Sequence, residues 1–173
     1  FDKGLNAVQN GDFATALKEW RPLAEKGIAS AQHGLGTIYL NGDGVPQDYK
    51  EAVRWYRLAA EQGNASGQYN LGLMYERGED VPQDYREAVR WYKLAAEQGF
   101  ASAQYTLGVM YGNGTGVVQD FVYAHMWFNI AASSGNKMAT RNKDIIAKQM
   151  TPSQLEKAGK LARECIRKKY KGC

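Results

Sequence analysis

The chain of 173 residues is long enough to bury one substantial hydrophobic core, and its 44% hydrophobic and 23% charged residues are typical of a globular protein. Because no run of 18 apolar residues occurs, we expect no membrane-spanning helix. Residues 151–173 contain seven Lys and Arg against two Glu, a net +5, so the other 150 residues carry −1 of the total +4. This distribution excludes a basic face spread along the chain; a solvated helix surface explains the tail better than nucleic acid or membrane contact.

The sequence repeats with a period of 36 residues. The segment VPQDYKEAVRWYRLAAEQG at 45–63 returns at 81–99 with only two Lys/Arg exchanges. A second segment, ASAQHGLGTIYLNG from Ala29, returns in altered form from Ala65 and from Ala101. Small and apolar residues recur at helical spacing in both segments, so each repeat predicts a pair of helices.

In chain order, the period predicts a single domain made of capping and complete repeats. Its parts are a partial capping repeat at 1–27, three full repeats at 28–63, 64–99 and 100–135, and C-terminal capping helices at 136–173. One helix pair cannot bury the aromatic area of Trp55 and Tyr56, so several repeats must stack. We expect Gly36 to let two helix backbones approach closely.

Proline, aspartate and glycine predict where the helices begin and end. Pro46 and Pro82 suit the first turn of a helix, and Thr151 followed by Gln154 predicts a capping box. Helix N-caps are expected at the periodic aspartates Asp48, Asp84 and Asp120. Left-handed helix terminators are expected at Gly63, Gly99 and Gly135. Because Asp80 stands where the other loops have glycine, we expect a slightly different loop backbone there.

The repeated pattern A-x-A-x-x-x-L-G-x-x-Y-x-x-G-x-G-V-x-x-D-x-x-x-A-x-x-W-Y-x-x-A-A-x-x-G resembles the Sel-one-like repeat, a relative of the tetratricopeptide repeat. Residues 29–63 match it throughout, while the second repeat departs at Gly67 and Asp80 and the third at Phe128. The resemblance implies an all-α fold: a right-handed α-solenoid of antiparallel helix pairs, with about ten helices and capping helices at both ends.

No constellation of residues indicates catalysis. His33 and His125 fall in different repeats and different helix contexts, and the chain has no HExxH, no GxSxG and no Cys/His ligand cluster. The glycine-rich loops lack the Lys and Ser/Thr of a phosphate-binding loop. We therefore predict a protein that is not an enzyme and that has no cofactor and no metal.

Cys165 and Cys173 are the only two cysteines. Cys165 lies on the apolar face of the last predicted helix, and Cys173 follows Gly172, where the tail can fold back. In an exported protein the pair would close a small loop and contribute about 2 kcal/mol; two free thiols are the alternative. A start at Phe1 fits a removed signal peptide or a trimmed chain, and similar cysteine-tipped tails occur in exported relatives. We expect a disulfide and a periplasmic or secreted bacterial protein, with a cytoplasmic one as the alternative.

The resemblance also implies that the first helix of each repeat lines a concave inner surface. Opposite the core-facing side of these helices runs a stripe that varies between repeats and is the candidate partner-binding groove. Its residues are Ser30, His33, Thr37, Asn41, Ser66, Tyr69, Leu73, Glu76, Arg77, Ser102, Tyr105, Val109 and Asn113. Tyrosines beside Arg and Asn suit protein binding; alternatively, Tyr69 and Tyr105 pack between adjacent repeats and are inaccessible.

The function predicted from this stripe is a non-catalytic scaffold that docks an extended or helical segment of an unidentified partner protein. One alternative is a cell-wall-related enzyme, penicillin-binding or hydrolase-like, because a subgroup of the family with a disulfide in every repeat is linked to penicillin binding; this chain lacks those cysteines. Another is a structural protein that self-associates through its capping helices. The basic segment from Lys157 to Lys171 would bind an acidic partner in a salt-dependent manner.

Overall fold

The computed structural model describes residues 1–173 and contains ten α-helices and no strand, which confirms the predicted all-α fold. The helices are α1 (Asp2–Gln9), α2 (Phe13–Glu25), α3 (Ala29–Asn41), α4 (Tyr49–Glu61), α5 (Ala65–Arg77), α6 (Tyr85–Ala96), α7 (Ala101–Asn113), α8 (Phe121–Ser133), α9 (Lys137–Ala147) and α10 (Pro152–Arg167). None of them combines the length and the apolar character needed to cross a membrane.

The helices form two compact units, Phe1–Gln83 and Asp84–Cys173. In unit 1, each helix from α1 to α5 packs against the next, and α3 also contacts α5. In unit 2, α6 packs against α7, and α7 packs against α8; α8 also contacts both α9 and α10. A further contact joins α7 to α9. The α3–α5 and α7–α9 contacts place the first helices of successive repeats side by side within each unit.

The glycines of the first helices make room for aromatic rings. A Cβ atom added at Gly36 would lie 2.6 Å from the ring of Tyr56, and one at Gly108 would lie 2.5 Å from the ring of Phe128. Tyr56 is fully buried as a result, and Phe128 is 4% exposed. Gly36 thus allows a ring to lie flat against the helix, whereas the sequence had indicated close contact between two backbones.

The predicted aspartate caps are confirmed, but the predicted role of the prolines is wrong. The side chain of Asp48 accepts a hydrogen bond from the amide of Glu51, and Asp84 and Asp120 each accept two such bonds. Pro46 and Pro82 lie two residues before these caps, outside the helices. The reason is that an N-cap residue is extended (φ is −144° at Asp48), and the Asp48 amide donates to the Tyr39 carbonyl at 2.9 Å, so the helix begins only at Tyr49.

The predicted left-handed glycines are confirmed, with φ of 85°, 82° and 87° at Gly63, Gly99 and Gly135. The expectation of a different loop backbone at Asp80 is wrong. Asp80 adopts φ of 56°, in the same left-handed region as its glycine counterparts. The preceding turn explains this, because the amide of Glu79 bonds to the Met74 carbonyl at 3.1 Å, as the matching amides of the other two loops do. Aspartate is among the few residues that tolerate this conformation.

Specific interactions hold both ends of the C-terminal segment 151–173 of unit 2. Thr151 and Gln154 form the predicted capping box at the start of α10. Beyond its end, Cys173 forms a disulfide with Cys165. The amide of Gly172 donates to Glu97 Oε1 at 3.3 Å, so the closed loop rests against the end of α6.

Candidate functional site

The predicted stripe of unit 1 lies on α3 and α5, and none of its residues is fully buried. Asn41 and Arg77 are exposed. The half-buried members are Ser30, His33, Thr37, Ser66, Tyr69, Leu73 and Glu76. The stripe therefore lies at the surface of the unit.

Hydrogen bonds within unit 1 occupy part of this stripe. Asn70 Nδ2 lies 3.1 Å from His33 Nε2. An amide NH₂ group can only donate, so this contact fits a neutral His33 ring with Nε2 unprotonated. Burial lowers the pKa of His33, in agreement with a neutral ring. The hydroxyl of Tyr56 donates to Thr37 Oγ1 at 3.2 Å, and burial raises the pKa of Tyr56 to about 12. His33 and Thr37 thus connect helices of unit 1.

In unit 2, three of the four predicted residues come together in an open cleft of about 390 Å³. Tyr105, Val109 and Asn113 line it from α7, whereas Ser102 lies outside it. The other lining residues come from α7, α8, α9, the α7–α8 loop and the turn after α9: Gly112, Gln119, Phe121, Phe128, Asn142, Ile145, Ile146 and Gln149.

Gly112 explains why the cleft is open. Two repeat periods earlier, the same position of α3 holds Leu40, a half-buried side chain. A Cβ atom at Gly112 would lie 3.5 Å from Cδ1 of Ile146, across the cleft. A leucine side chain there would therefore fill the space between α7 and α9.

The lip contributed by α9 is the part of the site that sequence reasoning missed. Advancing the stripe on α7 by one period of 36 residues gives Met138, Arg141, Ile145 and Gln149. The side chains of Met138 and Ile145 are 51% and 48% exposed. The period itself is the signal, but α9 lacks the core motif of the full repeats, so the stripe predicted from the sequence ends at the third repeat.

The floor of the cleft is apolar and its rim is polar. Val109, Phe121 and Ile146 supply apolar surface. Asn142 Nδ2 donates to the hydroxyl oxygen of Tyr105 at 3.2 Å, which leaves the Asn142 carbonyl oxygen and the Tyr105 hydroxyl hydrogen available. The side-chain amides of Asn113 and Gln149 form no hydrogen bond within the protein. The rim therefore presents unused donors and acceptors around an apolar floor.

Gln119 fixes the shape of the cleft at its loop end. Its Nε2 donates to the carbonyl of Gly112 at 2.8 Å, and Gln47 makes the same bond to Leu40 in unit 1 at 2.7 Å. This bond holds the loop against the last turn of the first helix in both units.

The cleft lining offers no group suited to proton transfer. Apart from Tyr105, none of the lining side chains is ionisable. His125 is half-buried on α8; burial and nearby Lys143 lower its pKa, and Asp144 opposes that effect. No group of three or more His, Cys, Asp or Glu is placed to hold a metal ion. The site has the chemistry of a binding surface.

Comparisons with known proteins agree with the repeat pattern. A Sel1 repeat family model matches residues 29–64, 65–100 and 101–136, each one residue later than the predicted repeat. The crystal structure of a Sel1 repeat protein from Oxalobacter formigenes is similar, with a TM-score of 0.69 and 43% identity over 75% of this chain and 97% of that one. No curated protein matches the chain.

A second structure is c5321, a protective antigen present in uropathogenic Escherichia coli strains that displays an SLR fold. It is 31% identical over 91% of this chain, with a TM-score of 0.69, and this chain spans 42% of its length. These relatives confirm the α-solenoid fold class. Sel1 repeats are in general non-catalytic scaffolds that mediate protein interactions. Since the family model matches more than half of the residues in three consecutive copies, the chain belongs to the Sel1 repeat family.

Proposed function

We propose that this protein is a non-catalytic interaction module that docks a segment of a partner protein in the cleft between α7 and α9. The observation that carries the proposal is the combination of an apolar floor with unused amide groups at the rim, in a cleft of about 390 Å³. That volume falls within the range typical of ligand-binding clefts.

The chemistry of the rim favours a polypeptide. A peptide backbone presents alternating N–H and C=O groups, each of which needs a partner when it leaves water. The side chains of Asn113 and Gln149 each supply both a donor and an acceptor. A bound segment would place one apolar side chain on the floor and satisfy its backbone at the rim.

The stripe of unit 1 supports a smaller role in docking. His33 and Thr37 are engaged in hydrogen bonds within the unit. Asn41 donates to Asp43 at 3.0 Å, and Arg77 lies 3.7 Å from Glu79. Binding there would first break these interactions, so we assign the main contact to the cleft of unit 2.

The test is selection of peptides from a random 12-residue phage library on wild type and on Gly112→Leu. The leucine fills the cleft, so we expect peptides that the wild type retains to be lost on the variant. Gly159→Leu is the matched control, because it makes the same change within α10, where the nearest atom to a new Cβ is the flexible end of Arg163 at 3.4 Å. Circular dichroism verifies that both variants fold. Peptides retained equally by all three proteins, or no selected peptides, would refute the proposal.

We also propose that the protein acts in an oxidising compartment, the periplasm or the exterior of a bacterial cell. The bonded pair Cys165 and Cys173 supports this, because such bonds persist mainly outside reducing cytosol. Alkylation with a mass tag at the moment of cell lysis should label neither cysteine. Labelling of both would show that the protein resides in a reducing compartment.

A further inference from the structure

The exposed lip of the cleft on α9 carries two unpaired positive charges. Arg141 precedes Ile145 by four residues and Lys148 follows it by three, so both lie on the same side of the helix as Ile145. Both side chains are exposed, and neither forms an ion pair. The exposed apolar side chain of Ile145 is thus flanked by cations.

Acidic residues compensate this charge only in part. Asp144, the one acidic residue of α9, lies three residues from Arg141 and four from Lys148 but forms an ion pair with neither. Residues 137–173 contain eleven Lys and Arg against three Asp and Glu, a net +8, whereas residues 1–136 carry eleven against fifteen, a net −4. The cleft itself is lined by uncharged side chains. A ligand that fits this arrangement has an apolar centre and negative ends.

We infer that the cleft takes an acidic peptide segment, in which one apolar side chain lies against Val109, Phe121 and Ile146 and carboxylates on both sides of it contact Arg141 and Lys148. The inference rests on the proposed function and adds the chemical class of its partner. Carboxylates satisfy the charge of the lip, and the apolar side chain removes the exposed surface of Ile145 from water.

The geometry of α9 sets the spacing of the carboxylates. Arg141 and Lys148 are seven residues apart, which is about 10 Å along a helix. An extended peptide rises about 3.3 Å per residue, so two carboxylates three positions apart cover about the same distance. The expected motif is therefore an acidic residue, two residues of which one is large and apolar, and a second acidic residue.

The experiment measures the best Gly112→Leu-sensitive peptide of the phage selection by fluorescence anisotropy. We expect this peptide to contain the motif, to bind more weakly as salt rises, and to lose about tenfold in affinity on Arg141→Gln/Lys148→Gln. The control is Lys160→Gln/Arg167→Gln on α10, which removes the same charge from the same basic end of the chain. We expect the control to retain affinity within about twofold.

The outcomes separate this inference from the proposed function. Peptides that bind the cleft but lack the acidic pair, or that bind Arg141→Gln/Lys148→Gln as well as wild type, overturn the inference and leave the docking function in place. Competition by single-stranded DNA as strong as that of the unlabelled peptide also overturns it, because the site would then recognise negative charge alone. Absence of any Gly112→Leu-sensitive peptide overturns both.

Discussion

Gly36 occupies a position where a single methyl group has a predictable and large effect. A Cβ atom there would lie 2.6 Å from the Tyr56 ring, so Gly36→Ala should destabilise the protein by about 1–3 kcal/mol through overpacking. Gly159→Ala should instead stabilise α10 by up to about 1 kcal/mol, because only the helix propensity changes there. Urea unfolding of the two variants measures both effects. The same sign for both would contradict the packing role assigned to Gly36.

Asp80 is the one non-glycine residue at the left-handed loop position that Gly44 and Gly116 occupy in the other two repeats. With φ of 56°, it occupies a region that costs an L-residue about 1 kcal/mol. We therefore expect Asp80→Gly to raise the free energy of unfolding by about 0.5–1 kcal/mol. The reverse change, Gly44→Asp, should lower it by more, because a Cβ there also lies 2.8 Å from Cβ of Phe13. Thermal unfolding of both variants tests the pair, and a destabilised Asp80→Gly would show that the aspartate side chain has a role of its own.

His125 links stability to pH. Burial holds the pKa of His125 below the ordinary value of 6.5. Between pH 6.5 and the lower pKa of the folded protein, His125 is protonated in the unfolded chain but not in the native protein. Stability should consequently fall as pH drops from 6.5 through the folded pKa. His125→Val introduces the residue that the other two repeats have at this position, Val53 and Val89, and should weaken the pH dependence. The contribution of His33 to the pH dependence remains. Melting temperatures at about pH 7.5 and about pH 5.5 measure the change; an unaltered dependence would show that His125 is protonated equally in both states.

At the scale of elements, α10 depends on interactions at its two ends. Cys165→Ser/Cys173→Ser opens the C-terminal loop and should cost up to about 2–3 kcal/mol. Thr151→Ala, at the other end of the helix, should cost about 1 kcal/mol by removing the cap. Hydrogen exchange should show the loss of protection at 165–173 in the serine variant alone. Equal protection in both variants would mean that the contact of Gly172 with Glu97 holds the tail without the disulfide.

The helix boundaries show which elements a sequence can predict. The N-caps at Asp48, Asp84 and Asp120 were predictable because capping involves a side chain and an amide two or three residues away. Pro46 was wrongly placed in the first turn of α4 because the chain before the cap depends on the bond between the Asp48 amide and the Tyr39 carbonyl, across a loop. Local chemistry is readable from local sequence, whereas an end set by a distant carbonyl is not.

The cleft was only partly predictable for a similar reason. Tyr105, Val109 and Asn113 were found because they lie on one face of α7. Its opening depends on Gly112, whose effect is visible only when α9 lies opposite it. Ile145 and Gln149 required the same period to be followed into a helix that has lost the repeat motif. The cleft depends on residues that depart from the repeat pattern, so the pattern that predicts the fold does not predict the cleft.

For the whole molecule, the resemblance of the 36-residue pattern to the Sel-one-like repeat predicted the family and about ten helices, and both are confirmed. The division between residues 83 and 84 had no counterpart in the sequence, because it falls within the VPQDY segment at 81–85, which also occurs unchanged at 45–49. The repeats are alike in their cores, and the two units differ in their surfaces and in charge.

This charge distribution predicts how the intact protein behaves on a cation exchanger. Adsorption responds to local charge clusters more than to net charge, and residues 137–173 hold +8. Lys160→Gln/Arg167→Gln should therefore elute at clearly lower salt than wild type. Lys18→Gln/Lys26→Gln has the same net charge and should elute close to wild type. Identical elution of the two variants would show that net charge alone governs adsorption.

The near identity of the two loop-and-helix frameworks makes the cleft transferable. Unit 1 already holds Asn41, Gln47 and Asn70 where unit 2 has Asn113, Gln119 and Asn142. The remaining differences among the lining residues amount to eight exchanges: His33→Tyr, Thr37→Val, Leu40→Gly, Tyr49→Phe, Tyr56→Phe, Leu73→Ile, Met74→Ile and Arg77→Gln. Introducing these exchanges into unit 1 would create a second cleft with the same lining in the same chain. Because the repeats share one framework, a binding cleft can be added, altered or filled one repeat at a time.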